Sequence, residues 1–183
     1  MANPTEILEE IQEGLTKYAG VISSDHAYVH KGLALTAVVS AGSISSAYNI
    51  SFKTPATWAG KYIHWRPSGI QTSANYCGVI MTEGESFTGG TAVVPINRNR
   101  NSSITTKMQS FAKGTTCTPA GTVVSQFGIG TAGVPSTTAG GGTGADQELL
   151  LKPDTTYNIA LSPAGATIVT LELFWYEENG YHS

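Results

Sequence analysis

The chain has 183 residues, of which 13% are charged, and its formal net charge is -3. That length suits one domain with a core and a small appendage. Because the charged fraction lies well below the roughly one quarter of an ordinary domain, few side chains are present for acid–base catalysis. No basic stripe supports sequence-independent binding to nucleic acid, and no apolar run reaches the roughly 18 residues that a membrane span requires.

The first predicted element is an amphipathic helix over residues 1–20, an N-terminal helical arm. Asn3 is a suitable N-cap, Pro4 suits the first helical position, and Gly20 ends the helix. Two heptads are too short to form a stable helix alone in water, so the arm should pack on its own domain, on its copies or on a partner. Its a/d seam consists of Leu8, Ile11, Leu15 and Tyr18.

Residues 21–183 are predicted to form one β-sandwich domain of about nine short strands, with no further helix. Runs rich in β-branched and aromatic residues alternate with Gly, Pro, Ser and Asn. In the last run apolar and polar residues alternate, as in a strand with one buried face. The expected fold class is therefore all-β, a jelly-roll-like antiparallel β-sandwich with a short N-terminal helix. The apolar residues of that last run are Val169, Leu171, Leu173 and Trp175.

Two segments of the predicted domain look less regular. Residues 110–122 have weak strand character, and residues 128–147 are a Gly/Thr-rich run poor in apolar side chains. Ordering such a run costs conformational entropy and buries little surface in return. Residues 128–147 are therefore predicted to be a long surface loop that lies against a neighbouring subunit or in solvent.

The two cysteines, Cys77 and Cys117, form no CxxC pair and have no zinc-ligand spacing with histidine. Two free thiols are the favoured interpretation, as in a protein made in a reducing cytosol. Their spacing alone does not show whether the two thiols approach each other.

Two pairs of side chains are candidates for chemistry. His26 and His30 have the i,i+4 spacing of helical metal ligands, but no third ligand stands beside them, so surface histidines are the favoured interpretation. Glu83 and Glu85 have the residue types of a glycosidase carboxylate pair, although their places on either side of Gly84 are more typical of a hairpin turn. The sequence therefore predicts no catalytic residue, no cofactor and no metal.

The three tryptophans divide into two groups. Trp65 and Trp175 lie inside strand-like runs and are predicted to be core or interface anchors. Trp58, in the segment PATWAG, is the freer side chain and hence the candidate for stacking on a sugar.

The segment VVPINRNRNSS, residues 93–103, places Arg98 and Arg100 among three asparagines. An apolar strand-like run leads into the segment, and a serine pair leads out of it. The residues alone leave three interpretations open, namely a phosphate-gripping loop, a nucleic-acid contact and a structural turn.

The segment TGGTAVVPINRNRNSS, a later LLLKPDTTY and a closing WYE follow one another along the chain. Together, over roughly residues 25–178, they resemble a family of tailed-phage virion proteins, the small β-sandwich head decoration or cement proteins. Ile96 stands where the family pattern has tyrosine, and Asn158–Leu161 lacks the usual arginine. The matching residues are Gly90, Thr91, Ala92, Asn97, Arg98, Asn99, Arg100, Leu150, Leu151, Pro153, Thr155, Thr156, Tyr157, Trp175, Tyr176 and Glu177.

This resemblance implies a bacteriophage virion structural protein, without enzymatic activity, that binds the outer capsid surface and stabilises the head. Its implied partners are the major capsid protein and copies of itself, with a trimer preferred and a dimer as the alternative. No nucleic acid, membrane or cofactor is expected. The protein would be made in the host cytoplasm and reside on the capsid surface of the virion. The expected subunit or capsid contacts are Leu8, Ile11, Leu15, Tyr18, Arg98 and Arg100.

The resemblance also suggests how the arginine segment works. Asparagines would hold its turn through bonds from side chain to backbone. The arginines would then grip backbone carbonyls or a carboxylate, including those of another subunit.

Two other classes of function stay open. One is a receptor- or glycan-binding tail or head-fibre module, in which Trp58 contacts host polysaccharide. The other is a glycan-cleaving enzyme that uses Glu83 or Glu85. Glycan binding by the purified protein would favour the first of these, and release of reducing sugar would favour the second.

Overall fold

Two large antiparallel β-sheets, a two-stranded ribbon and a short helix make up the described part of the chain in this computed structural model. The structure describes residues 24–56, 61–72, 75–118, 121–129 and 148–179. The helix is α1 (Ser24–His30), and within the described residues no helix has the length and apolar character needed to cross a membrane. The strands are β1 (Ala34–Ile44), β2 (Tyr48–Lys53), β3 (Lys61–Thr72), β4 (Cys77–Glu83), β5 (Ser86–Thr88), β6 (Thr91–Ala92), β7 (Ile96–Asn97), β8 (Gln109–Lys113), β9 (Thr116–Thr118), β10 (Thr122–Ile129), β11 (Leu149–Leu150), β12 (Thr156–Pro163) and β13 (Thr167–Asn179).

The strand order is that of a jelly roll. One sheet has the order β11-β3-β13-β1-β7, and the other has the order β10-β4-β12-β2-β8-β6. With β5 to β9 set aside, the chain folds back on itself, because β1 pairs with β13, β2 with β12, β3 with β11 and β4 with β10. The folded ribbon forms two facing four-stranded layers. The predicted all-β, jelly-roll-like antiparallel sandwich is confirmed.

The strands β5 to β9 form an insertion that closes one side of the sandwich. β8 and β6 extend the six-stranded sheet beyond β2, whereas β7 pairs with β1 at the edge of the five-stranded sheet. Between them, the Val93 backbone N–H donates to the Phe111 carbonyl at 2.9 Å. Residues 91–97 therefore cross from one sheet to the other, while β5 and β9 pair as a separate ribbon.

Aromatic side chains join the two sheets across the core. Trp65 and Trp175 are direct partners in the β3–β13 pair, and their ring centroids lie 5.6 Å apart. Phe52 and Tyr157 are partners in the β2–β12 pair, with centroids 5.5 Å apart. Phe52 also stacks on Trp65 at 4.7 Å, which connects one sheet to the other. The two tryptophans are fully buried, as predicted, and so are the alternate apolar residues of β13.

The carboxylate of Glu177 is buried beside this aromatic core near the end of β13. It accepts hydrogen bonds from Trp175 Nε1 at 3.1 Å and from Thr106 Oγ1 at 2.6 Å. The backbone N–H of Lys107 lies 3.0 and 2.9 Å from its two oxygens. One side chain therefore fastens the irregular segment between β7 and β8 to the five-stranded sheet.

The helix α1 is a departure from the sequence prediction, which placed no helix after residue 20. Seven residues have little intrinsic helical stability, so their sequence carries no strong helical signal. Tertiary packing supplies what the local sequence lacks, because Tyr28 and Val29 cover the outer face of the five-stranded sheet at Ala34 and Phe174.

The segment 110–122, to which the sequence assigned weak strand character, contains most of β8, all of β9 and the first residue of β10. Phe111 and Ala112 of β8 are buried. β9 was missed because Cys117 faces polar groups of the sheet beneath it, including Ser51 at 3.3 Å, so the segment shows no apolar alternation.

Two sequence predictions fall mainly outside the described residues. The helical arm over residues 1–20, with its seam of Leu8, Ile11, Leu15 and Tyr18, lies entirely outside them. Of the predicted loop 128–147, Gly128 and Ile129 complete β10 and are not loop, and residues 130–147 lie outside the described part.

We expect Glu177→Gln to lower the free energy of unfolding by about 1–3 kcal/mol, because the amide nitrogen would face a buried donor. Glu172→Gln is the matched control, since Glu172 lies on the same strand but is exposed. The control should change the free energy by less than about 0.5 kcal/mol. Urea denaturation measures both variants, and equal losses would contradict the structural role of Glu177.

Candidate functional site

The arginine segment is a turn built by its asparagines. Asn97 Oδ1 accepts from the Asn99 backbone N–H at 2.9 Å, and Asn99 Oδ1 accepts from the Asn101 N–H at 3.1 Å. Ser102 Oγ then accepts from the Ile104 N–H at 3.2 Å. These are successive turns in which a side chain binds the backbone two residues ahead. The predicted role of the asparagines is confirmed.

The same asparagines attach the turn to the end of α1. Asn97 Nδ2 donates to the carbonyls of Gly32 at 2.7 Å and Ile104 at 2.9 Å. Asn99 Nδ2 donates to the His30 carbonyl at 3.1 Å. Carbonyls at the end of a helix have no partner within the helix, so these amides satisfy groups that would otherwise need water. The turn and the helix consequently form one unit.

The guanidinium of Arg98 contacts an aromatic ring of its own chain. Its guanidinium carbon lies 4.8 Å from the ring centre of Phe174, and its backbone N–H donates to the Ala34 carbonyl at 3.0 Å. Next to this contact, the ring of Tyr28 stacks on Tyr176 with centroids 4.1 Å apart. Among the described residues the guanidinium therefore contacts an aromatic face, and a carbonyl or carboxylate of another subunit stays a prediction.

Arg100 is exposed, and in the described part of the chain no hydrogen bond or ion pair to its guanidinium is found. Apolar side chains are exposed near it in sequence. Val94 is 82% exposed, Ile96 44% and Ile104 40%. Because Asn97 binds the Ile104 carbonyl, the two ends of this stretch are held together. We refer to Val94, Ile96, Arg100 and Ile104 as the arginine surface.

The two candidate carboxylates have structural partners. Glu85 is buried and accepts from Thr82 Oγ1 at 2.6 Å and from the Gly121 backbone N–H at 2.9 Å. Glu83 forms an ion pair with Lys152. The expected hairpin at Gly84 is wrong, because β4 and β5 belong to different sheets and the chain turns a corner there. Gly84 has a φ of 90°, which favours glycine at that corner.

Tyr157 lies against the Glu83 ion pair on the core side of the sheet. Its hydroxyl accepts from the Lys152 backbone N–H at 2.8 Å. Burial raises the pKa of Tyr157 to about 12; the Lys152 hydrogen bond lowers it, and the charge of Glu83 raises it further.

A buried polar layer, which the sequence did not predict, joins the six-stranded sheet to β9. Ser51 Oγ donates to Asn158 Oδ1 at 3.0 Å, lies 2.6 Å from Thr115 Oγ1 and lies 3.3 Å from Cys117 Sγ. Burial raises the pKa of the Cys117 thiol, which disfavours the thiolate that nucleophilic chemistry needs.

The histidine pair, the two cysteines and Trp58 are the other residues that the sequence singled out. His26 and His30 face each other on α1, with their Nε2 atoms 2.8 Å apart. Across the described ranges, no group of three or more metal-binding side chains comes together. Both cysteines are free thiols, with Cys77 in the core. Trp58 lies outside the described residues.

We expect Arg98→Ala to lower the free energy of unfolding by about 0.5–1 kcal/mol, since the guanidinium no longer covers Phe174. Arg100→Ala is the matched control and should leave stability unchanged, because Arg100 is exposed like Arg98 but covers no ring among the described residues. Urea denaturation measures both. If Arg100→Ala lowers the free energy of unfolding as much as Arg98→Ala does, the proposed intramolecular role of Arg98 is contradicted.

The raised pKa of Tyr157 predicts a loss of stability in alkali. An ordinary tyrosine ionises near pH 10, so between pH 10 and about 12 the unfolded chain has lost a proton that the folded chain retains. The contribution of Tyr157 to the free energy of unfolding is therefore intact below pH 10. Above pH 10 it falls by roughly 1.4 kcal/mol per pH unit. Denaturation of wild type and Tyr157→Phe at pH 9 to 12 measures it, and parallel pH profiles would contradict the assignment.

No protein-family model matches the chain, and neither a curated protein nor a solved structure matches it. The basis for a function is therefore the arrangement of this chain's own residues, together with the resemblance of its sequence elements.

Proposed function

We propose that this chain is a bacteriophage virion structural protein of the decoration or cement type. It binds the outer surface of the assembled capsid as a small homo-oligomer and stabilises the head. Its partners are the major capsid protein and its own copies, with a trimer preferred over a dimer. The resemblance of the sequence elements and the jelly-roll body both support this proposal.

The observation that carries the proposal is the arginine surface. A turn held by side-chain hydrogen bonds leaves Arg100 exposed, and apolar side chains of the same stretch are exposed as well, Val94 to 82%. Protein–protein interfaces are enriched in arginine and depleted of other charged residues. Between Val94 and Thr106 the only charged residues are Arg98 and Arg100, of which Arg98 already contacts Phe174. This surface suits a protein partner better than a small substrate.

The state of the other candidates supports a binding protein over an enzyme. Glu85 is buried and hydrogen-bonded by its own chain, and Glu83 is paired with Lys152. A carboxylate used in this way is not placed to protonate a glycosidic oxygen or to activate water. The arginine surface accordingly supports shell binding more strongly than these carboxylates support glycan cleavage.

The arm over residues 1–20 is proposed as a second contact, made with the shell or between copies. A short amphipathic seam needs a surface to lie on, and the seam residues are Leu8, Ile11, Leu15 and Tyr18.

Co-sedimentation with empty capsid shells tests the proposal. Val94→Asp should weaken binding to shells at least about tenfold, because a carboxylate would be buried in an apolar contact. Val123→Asp is the matched control, since Val123 is 55% exposed on β10 and lies outside the arginine surface. Deletion of residues 1–20 should also weaken binding while the melting temperature changes little.

The possible failures of this experiment are distinct. Wild-type protein that does not sediment with shells would contradict the function itself. Equal binding by Val94→Asp and Val123→Asp would contradict only the arginine surface, and full binding by the truncated protein would contradict only the arm. Light scattering that shows a monomer at micromolar concentration would contradict the homo-oligomer.

A further inference from the structure

The helix α1 presents two histidines as a pair on its exposed side. The Nε2 atoms of His26 and His30 lie 2.8 Å apart, and the rings meet at 65° with centroids separated by 4.6 Å. At this distance one Nε2 atom donates its proton in a hydrogen bond to the other, and the tautomers of the two rings decide which one donates. The pair thus already has the arrangement in which a cation can replace the shared proton.

The helix that carries the pair is fixed to the body. Tyr28 and Val29 pack on the outer face of the five-stranded sheet, and Asn99 Nδ2 donates to the His30 carbonyl at 3.1 Å. Because tertiary contacts hold these seven residues in a helix, the two imidazoles stay one turn apart. A ligand therefore meets a pair that has already been positioned, and little ordering entropy remains to be lost.

The separation of the two nitrogens favours one class of metal ion. Bonds from imidazole to a late first-row metal are about 2.0–2.1 Å long, so nitrogens 2.8 Å apart subtend about 86° at the ion. Neighbouring positions of a square-planar or octahedral ion subtend about 90°, the preference of Cu²⁺ and Ni²⁺. A tetrahedral Zn²⁺ site requires about 109°, and the nitrogens would have to move apart by about 0.5 Å to reach it.

We propose that His26 and His30 form a binding site for a divalent ion of the Cu²⁺ or Ni²⁺ type, with the two Nε2 atoms as neighbouring ligands. When the ion binds, both Nε2 atoms give their lone pairs to it, the proton that joined them leaves for the other nitrogen of its ring or for solvent, and no oxidant is needed. The remaining positions are open to water or to a further ligand, and among the described residues no group of three or more metal-binding side chains occurs. Binding is reversible and stabilises α1 on the sheet.

Calorimetric titration of the full chain, without an affinity tag, with Ni²⁺ tests this site. Ni²⁺ is the probe because Cu²⁺ oxidises thiols, and Cys117 is only partly buried. We expect one ion per chain and a rise in melting temperature with Ni²⁺ concentration. His26→Ala and His30→Ala should each weaken binding by at least about tenfold, more than the loss of an outer-shell partner does. His182→Ala, which removes a histidine elsewhere in the sequence, should bind as wild type does.

Paramagnetic broadening by Ni²⁺ in NMR spectra locates the ion. Signals of residues 26–31 and the side-chain amide of Asn99 should broaden first, because Asn99 contacts the His30 carbonyl. Broadening centred elsewhere, or unchanged affinity in His26→Ala, would overturn the site. So would the absence of binding by wild type at millimolar Ni²⁺. Both histidines are exposed, so melting of the metal-free variants should match wild type and exclude misfolding as the cause.

Discussion

The buried carboxylate of Glu177 is the contact on which the insertion depends. By accepting from Thr106 and Lys107 it fixes the end of a segment that has no strand pairing of its own. That segment also contains Ile104, whose carbonyl binds Asn97. The asparagine in turn holds the end of α1. A single buried side chain beside the aromatic core thereby helps to hold the arginine surface and the helix of the histidine pair in place, although it belongs to neither.

The two sheets cover their outer faces by different means. On the five-stranded sheet, α1 and the guanidinium of Arg98 lie over aromatic rings, so the cover is largely apolar. On the six-stranded sheet, β9 contacts the polar layer around Ser51 and Asn158 through hydrogen bonds. Buried polar groups of this kind are costly unless they are paired, and here they are paired. The exposed apolar side chains of the crossing segment between β6 and β7 are covered neither by α1 and Arg98 nor by β9.

Local pattern was enough to predict the class of fold, and the resemblance added part of the arginine turn. Alternation along β13 indicated its buried face, whereas the resemblance suggested that asparagines hold the turn through bonds from side chain to backbone. Partners distant in sequence left no such signal. The ring that Arg98 covers belongs to Phe174, and two of the residues that donate to Glu177, Thr106 and Lys107, precede it by 71 and 70 residues. The helix α1 and the strand β9 were missed for a related reason. Contacts distant in sequence stabilise α1, and β9 lacks apolar alternation because its covered face contacts polar groups.

The position of β13 has a consequence for synthesis on the ribosome. Thr167–Asn179 forms the central strand of its sheet, between β3 and β1, and among the described residues it is the last strand in chain order. β1 emerges early and must wait for a partner more than 120 residues away, from Ala34↔Tyr176 to Ile44↔Thr167. Pairing of this kind is slow, and it leaves strand edges exposed while the chain is incomplete. The five-stranded sheet therefore cannot form before β13 has been synthesised, and a chain that terminates ahead of this strand would be a target for chaperones and proteases rather than a partly working subunit.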